Sequence, residues 1–242
     1  MNSRRLIFLF IFSFSLILSE RSFSQHILGA VSAGINLSQV DGDEVYGFKK
    51  VGFIGGPSVI IPFGKDKKWS VTLELLFSQQ GSRQKSVYPI SNTIDSARAG
   101  FYDGYRLSLN YVQIPVIVHF TDKRFLAGGL GFQYGQLVGV TEYEDYNDNR
   151  GFARSTTTLQ GPYTRADIQA LADVRIRIYR GFWFNVRYSY SILPIRTREF
   201  ENPFYHNTWL RKQYNNVISL RLVYIFNDIL PDKNKKSKEY TD

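Results

Sequence analysis

Eight segments of the chain alternate apolar and polar residues, and long and short connections follow one another between them. The segments cover residues 27–39, 51–63, 69–77, 105–120, 125–140, 166–179, 182–192 and 213–226, and the four long connections cover residues 40–50, 81–104, 141–165 and 194–212. A period of two places successive side chains on opposite faces of a strand. Alternating long loops and short turns are typical of barrels that cross an outer membrane. The sequence therefore predicts an all-β fold, an eight-stranded antiparallel transmembrane β-barrel of the outer-membrane type.

The two faces of the predicted strands differ in polarity, which decides what each face contacts. Val71, Leu73 and Leu75 share a face, whereas Thr72 and Glu74 share the other. In a soluble barrel the apolar face lines the interior, as in a lipocalin-like binder. Here the second face carries too many charges for an apolar ligand cavity, so we expect it to line the lumen. The predicted interior polar cluster consists of Glu74, Asp173, Arg175, Arg177, Arg187 and Arg221.

The predicted cluster has two interpretations, a path for anions or a plug of salt bridges. An eight-stranded barrel encloses a space just wide enough for side chains. We therefore favour a structural plug. Small residues at Gly129, Gly131 and Gly135 are expected to face inward and relieve crowding there.

One predicted strand changes the face on which its apolar residues lie. Leu107, Leu109 and Tyr111 share one face, and Val112 and Ile114 begin the other. Such a switch suggests a β-bulge, and the nearby Pro115 is compatible with an irregular place in a strand.

The N-terminus has the pattern of a secretory signal peptide. Arg4 and Arg5 precede the apolar residues 6–18, and Ser22 and Ser24 follow. The apolar run is shorter than the ~20 residues that a membrane-spanning helix needs. We expect residues 1–24 to be the signal peptide, residues 25–226 the barrel, and residues 227–242 a polar periplasmic tail. The expected location is the outer membrane of a Gram-negative (diderm) bacterium.

Aromatic residues gather at the predicted short-turn end of the barrel. Such rings favour the level of the lipid headgroups. Because an even number of strands puts both termini on the side of the short turns, this end is expected to face the periplasm. The predicted periplasmic aromatic girdle is Phe63, Trp69, Phe120, Phe182 and Phe226.

Charge and composition narrow the partners and the chemistry. The net charge is +9, but it is spread along the chain and forms no basic patch interleaved with aromatic residues, so no nucleic-acid partner is expected. Outer-membrane lipid and the phosphates of lipopolysaccharide are the expected anionic surroundings. The chain has no cysteine, which excludes disulfides and thiol catalysis.

The three histidines do not form a recognisable metal or catalytic motif. His26, His119 and His206 lack metal-ligand spacing with one another or with carboxylates, and each is expected to be a surface or hydrogen-bonded residue. A hydrolase site that uses His206 with a serine and a carboxylate of the loops is a minor alternative. The acidic loop that starts at Glu142 lacks the spacing of an EF-hand. We expect no metal, no cofactor and no enzymatic activity.

Three segments carry a resemblance to a known family. They are GINLSQVDGD at 34–43, LNYVQIPVIVHF at 109–120 and NNVISLRLVYIF at 215–226. The chain resembles the PorT-like outer-membrane β-barrel family of the Bacteroidetes. The resemblance implies an eight-stranded outer-membrane barrel without catalytic residues. It also implies an accessory role in protein secretion of the type IX kind or in envelope organisation, with secretion-system or periplasmic proteins as partners. The alternative is a surface barrel for adhesion or ligand binding that acts through its four extracellular loops.

Overall fold

The computed structural model describes residues 27–43, 45–64, 66–84, 104–122, 125–146, 152–157, 162–201 and 208–226. The expected signal peptide and C-terminal tail lie outside these residues. No helix in the described part of the chain is long and apolar enough to cross a membrane. The strands are β1 (Leu28–Asp41), β2 (Lys50–Phe63), β3 (Trp69–Glu74), β4 (Leu76–Gln84), β5 (Gly104–Asp122), β6 (Leu126–Tyr146), β7 (Phe152–Thr157), β8 (Ala166–Tyr179), β9 (Phe182–Ser191), β10 (Arg196–Glu201) and β11 (Thr208–Ile225).

These strands form a closed antiparallel ring of eight, which confirms the predicted fold class. β3 and β4 are two parts of one ring strand, interrupted at Leu75, whose N–H donates to the Pro57 carbonyl. The order around the ring is β1, β2, β3/β4, β5, β6, β8, β9 and β11, and β11 pairs with β1 to close it. Closure leaves no free edge in the ring, as a membrane-spanning sheet requires.

The barrel has two unlike ends, which we call the short-turn end and the long-loop end. At the short-turn end Phe63 pairs with Trp69, and Tyr179 pairs with Phe182 across the two-residue turn at Arg180 and Gly181. Gly181 has a φ of +74°, a conformation that glycine adopts without steric cost. The predicted hairpin at this position is confirmed.

Three of the predicted long loops are shorter than expected because the strands continue into them. β4 extends to Gln84, and the segments predicted as loops 141–165 and 194–212 contain β7, β10 and the first residues of β11. β7 pairs with the end of β6, and β10 pairs with the start of β11. The long-loop end therefore rises above the ring as paired hairpins. The sequence did not reveal these extensions because they are polar and charged. Strands that extend beyond the ring do not contact lipid, so they lack the apolar alternation that marks the ring strands.

The predicted bulge exists, but the interpretation of the pattern around it was wrong. The register shifts between Asn110 and Tyr111, opposite Leu137 and Gly139, so the extra residue is Val138 on β6. β5 keeps one parity throughout: Leu107, Leu109 and Tyr111 are buried inside the barrel. Pro115 pairs regularly with Gln133 and is not at the bulge.

The two faces of the ring have opposite chemistry. Outward side chains at mid-height are large and apolar and are exposed on the barrel surface, as at Ile114, Leu130 and Ile176. Inward side chains at the same height are buried and polar or charged. This arrangement is the reverse of a soluble barrel and matches one that is surrounded by lipid.

Candidate functional site

Five charged side chains meet in the middle of the lumen and form one ion-pair network. Arg187 donates from Nη1 to Glu74 Oε2 at 2.8 Å and from Nη2 to Asp173 Oδ2 at 2.7 Å. Arg221 reaches the same two carboxylates at 3.1 and 3.3 Å, and Arg175 donates to Glu74 Oε1 at 3.1 Å. All five side chains are almost completely buried. We call this set the lumen network.

The ring geometry explains why these residues meet. β3, which carries Glu74, and β9, which carries Arg187, lie four strands apart in either direction around a ring of eight. Asp173 and Arg187 are direct cross-strand partners on β8 and β9. Opposite charges on neighbouring strands thus face one another, and Glu74 reaches them from the far wall. The lumen network therefore spans the full width of the barrel.

Arg177, the sixth member of the predicted cluster, lies elsewhere. It is partly exposed, and its guanidinium carbon lies 5.6 Å from the centroid of the Trp183 ring. Among the described acids, neither Glu74 nor Asp173 forms an ion pair with it. Because it is two residues nearer the short turn than Arg175, it reaches the rim of the barrel and does not reach the lumen network.

His119 is the residue of this site that the sequence did not identify. Its Nε2 lies 3.2 Å from Asp173 Oδ1 and its Nδ1 lies 3.1 Å from Thr72 Oγ1. In the neutral imidazole, donation from Nε2–H to the carboxylate leaves Nδ1 as the acceptor of the threonine hydroxyl. Its position opposite Gly129 leaves room for the ring, since a Cβ on Gly129 would stand 2.5 Å from His119 Cδ2.

Thr72, His119 and Asp173 place a hydroxyl, an imidazole and a carboxylate in one line. The same three groups serve nucleophilic catalysis in hydrolases. Here the exposed fractions of the three residues are 0%, 1% and 1%, and arginines occupy the other carboxylate oxygen. A catalytic serine or threonine must contact substrate. Thr72 is enclosed by packed side chains in the lumen, so no substrate reaches its hydroxyl. The line completes the hydrogen bonds of the lumen network.

Amide side chains fill the layer next to the lumen network. Gln169 on β8 accepts from Gln133 Nε2 at 2.6 Å and donates to Gln80 Oε1 at 3.2 Å. On the same side Asn215 donates to the Tyr111 hydroxyl at 3.2 Å and to Asp167 Oδ2 at 2.8 Å. Hydrogen bonds between side chains therefore cross the lumen a second time, nearer the long-loop end.

Apolar clusters close the lumen at both ends, a feature that alternation alone did not reveal. The cluster at the short-turn end contains Ala30, Ile60, Ala127, Trp183, Val223 and Ile225. The cluster at the long-loop end, which we call the upper cluster, contains Val40, Leu107, Leu109, Tyr111, Leu137, Val140, Tyr163 and Ile195. The interior was predicted to be polar along its length. Polar residues fill its middle, whereas its two ends combine polar residues with these apolar clusters.

A polar group joins the hairpins of the long-loop end to the upper cluster. Arg196 on β10 donates to Glu142 Oε1 on β6 at 2.9 Å and also donates to the Tyr163 hydroxyl. Its guanidinium carbon lies 4.8 Å from the centroid of the Tyr163 ring. Tyr105 donates to the same Glu142 oxygen at 2.9 Å. Burial alone raises the pKa of Glu142, but the hydrogen bond and charge of Arg196 outweigh it and hold this pKa below its ordinary value. Glu142 is thus a half-buried, ion-paired residue of β6, and not part of a loop as the sequence had suggested.

All five predicted girdle residues lie outward at the short-turn end. Trp69 stacks near Phe63 at 6.5 Å and against Phe120 at 5.0 Å between ring centroids. Phe182 and Phe226 both contact Tyr224, at 4.7 and 5.2 Å. Tyr224, Phe125 and Tyr179 are further exposed aromatics at this end. The rings form two patches around the rim, and their role at a lipid interface stays a prediction.

Neither a metal site nor the minor hydrolase alternative gains support from the described residues. Among them, no three His, Cys, Asp or Glu side chains come together in a group that could hold a metal ion. His26 and His206 lie outside the described part of the chain.

The comparisons with known proteins address the family of the chain. The family model described as an outer membrane protein beta-barrel domain matches residues 21–196. No curated protein matches the sequence.

Several solved structures are similar to this chain at low sequence identity. Ail, the attachment invasion locus protein of Yersinia pestis, is 15% identical with a TM-score of 0.42, and the match covers 82% of this chain and 98% of Ail. A major outer membrane protein from Thermus thermophilus is 10% identical with a TM-score of 0.44, covering 83% and 100%. The outer membrane protease OmpT from Escherichia coli is 9% identical with a TM-score of 0.41, covering 86% and 100%.

Proposed function

The chain belongs to the outer membrane protein beta-barrel domain family, and from that premise we propose that it is a non-enzymatic accessory of protein secretion, of the type IX kind, or of envelope organisation. In this proposal the short-turn end faces the periplasm and the hairpins of the long-loop end face outward. The protein acts through surfaces that contact other envelope proteins. In this proposal no ion or solute passes through its lumen.

The observation that carries the proposal is the filled lumen. Side chains from opposite walls bond at the lumen network, and apolar clusters close both ends. A conducting barrel needs a continuous wet path, which barrels of sixteen or more strands provide. A filled lumen disfavours transport through it, so the proposal assigns the function to the rims and hairpins.

Two further observations support an accessory role. The hairpins of the long-loop end are braced by the Glu142–Arg196 pair and the upper cluster, so they present a fixed surface above the ring. The secretion part of the proposal rests on the resemblance of residues 34–43, 109–120 and 215–226 to the PorT-like family.

Deleting the gene and comparing the exported proteins tests the proposal. We expect the deletion to reduce surface export or gliding, and the full chain to restore it. A rescue variant in which a short turn replaces residues 144–157 should fail to restore export, whereas a variant changed at the exposed turn residues Asp66 and Lys68 should succeed. Unchanged export in the deletion strain would reject the secretion role.

The alternative is a surface barrel for adhesion or ligand binding. The braced hairpins favour it as much as they favour the accessory role, because a fixed protruding surface suits either partner. Cells of the deletion strain would then export normally but lose attachment to a host or matrix surface. The rescue variant without residues 144–157 would fail to restore attachment.

A further inference from the structure

Two arginines face each other across neighbouring strands on the outer wall of the long-loop end. Arg83 on β4 and Arg106 on β5 are direct cross-strand partners, and both side chains are exposed. Directly opposed side chains lie on the same face of a sheet, and like charges in this position destabilise the pair. Among the described residues, no carboxylate forms a salt bridge with either arginine.

A buried lysine on the inward face of β2 adds a positive charge behind this outward pair. Lys50, the first residue of β2, is only 6% exposed, and its Nζ contacts the carbonyl of Val51 at 3.3 Å. Its pKa is lowered by burial and then by the positive charges of Arg106 and Arg83. Among the described residues, no carboxylate forms a salt bridge with Lys50. A buried cation without an anion nearby is costly to the fold.

An aromatic ring continues the row of arginines onto the next strand. Arg106 pairs across β5 and β6 with Tyr143, which is 37% exposed and lies on the same outer face. The row Arg83–Arg106–Tyr143 thus offers two guanidiniums for an anionic group and a flat ring for the face of a sugar. Guanidiniums bind phosphate through paired N–H groups.

The height of this row above the apolar belt identifies what lies beside it. Phe77 on β4, Ile114 on β5 and Val138 on β6 are outward, exposed and apolar. The row begins five to eight residues further along the same strands. At about 2.5 Å of height per residue of a tilted strand, it stands roughly 15 Å above the belt. Its side chains point sideways, into the saccharide layer of an outer leaflet built from glycolipid.

We propose that Arg83, Arg106 and Tyr143 form a lateral site for the phosphorylated saccharide head of an outer-leaflet glycolipid of the lipopolysaccharide type. The anion neutralises the opposed arginines and the sugar packs on the tyrosine. Soluble polysaccharide approaches the top of the barrel, whereas this site opens toward the leaflet. The site rests on the outward orientation of the long-loop end in the proposed function, but it is independent of the secretion role.

The test is the unfolding temperature of the purified full chain in detergent micelles, read by the mobility change of the heated band on a gel. At about 100 times the dissociation constant, rough lipopolysaccharide with intact phosphates should raise this temperature by about 5–10 °C. The double variant Arg83→Gln/Arg106→Gln should lose the increase, and without glycolipid it should unfold no earlier than the wild type. The matched control Lys68→Gln/Arg180→Gln removes the same charge from the short-turn end and should keep the full increase.

Three results would overturn the proposal. The first is an equal increase in the arginine variant and the control. The second is an equal increase with dephosphorylated lipopolysaccharide, which would exclude phosphate recognition. The third is an equal increase with millimolar inorganic phosphate alone, which would assign the site to a free anion. Tyr143→Ala separates the sugar contact, because it should weaken lipopolysaccharide binding several-fold without changing the response to inorganic phosphate.

Discussion

Glu74 and Arg187 stand on opposite walls of the barrel, yet their side chains meet at 2.8 Å in the middle of the lumen. They are separated by 113 residues in the sequence. Around them the lumen network contains two carboxylates and three guanidiniums, so its acids are outnumbered. This imbalance makes the loss of an acid more damaging than the loss of a base.

Replacing Glu74 by glutamine tests the imbalance. Glu74→Gln keeps the shape of the side chain but leaves three buried arginines with one carboxylate, and breaking a buried ion pair from one side costs about 3–5 kcal/mol. Arg187→Met leaves two of each charge and should cost less. Urea unfolding of the barrel in detergent measures both, with Glu199→Gln on the exposed face of β10 as the control. Equal losses of unfolding free energy in Glu74→Gln and Glu199→Gln would contradict a stabilising role of the lumen network.

Gly129 and its neighbour Gly128 offer a matched pair for testing the position of His119. A Cβ on Gly129 would stand 2.5 Å from His119 Cδ2, whereas a Cβ on Gly128 meets no atom within 4 Å. Gly129→Ala should displace the ring from Thr72 and Asp173 and lower stability by about 1–3 kcal/mol. Gly128→Ala should be neutral or slightly stabilising. The imidazole signals of His119 in NMR spectra should shift in the first variant only.

Much of the ring was predictable because the alternation of apolar and polar residues with a period of two shows which face of a strand each side chain lies on. Alternation placed Glu74, Asp173 and Arg187 on the inward face, and the loop lengths identified eight strands and a short-turn end. Alternation also gave the outward belt, since lipid demands apolar residues on every strand that it covers. These features depend on neighbours two residues apart, which a single sequence displays.

The features that escaped prediction depend on contacts between distant segments. His119 joins the lumen network through residues 47 and 54 positions away, which no local pattern connects. Leu107 and Leu109 were read as a change of face because apolar residues were assigned to lipid, although they fill the closed top of the lumen. β7 and β10 were read as loop because neither segment shows an apolar alternation in the sequence.

Lowering the pH should loosen the hairpins through Glu142. Its pKa is below the ordinary value of 4.5 in the folded protein, so its contribution to stability is complete above that value and is lost as the pH falls through the lower, folded-state pKa. Glu142→Gln should imitate the acid state at pH 7.5 and cost about 1–2 kcal/mol locally. Hydrogen exchange of β10, corrected for the intrinsic effect of pH, measures this. Protection that stays unchanged in the variant would show that Arg196 does not brace the hairpins through Glu142.

Asp43 should respond to pH in the opposite direction. Burial in the connection after β1 raises its pKa to about 6 from 3.8, and its Oδ2 atom has no hydrogen-bond partner within the described residues. Because the folded state holds the proton more tightly, this group lowers stability as the pH rises from about 4 to 6. Asp43→Asn should remove that slope and raise stability at pH 7.5 by up to about 3 kcal/mol. The exposed Asp66→Asn serves as the control, and equal pH profiles for Asp43→Asn and the wild type would refute the assignment.

The orientation of the barrel can be measured cleanly because the chain has no cysteine of its own. Glu199 on β10 and Lys68 in a short turn are both exposed and lie at opposite ends of the barrel. If the long-loop end faces outward, Glu199→Cys should react with a membrane-impermeant maleimide on intact cells. Lys68→Cys should react only after the outer membrane is permeabilised. The reverse pattern would place the hairpins in the periplasm, and the site for an outer-leaflet glycolipid at Arg83 and Arg106 would then have no ligand to meet.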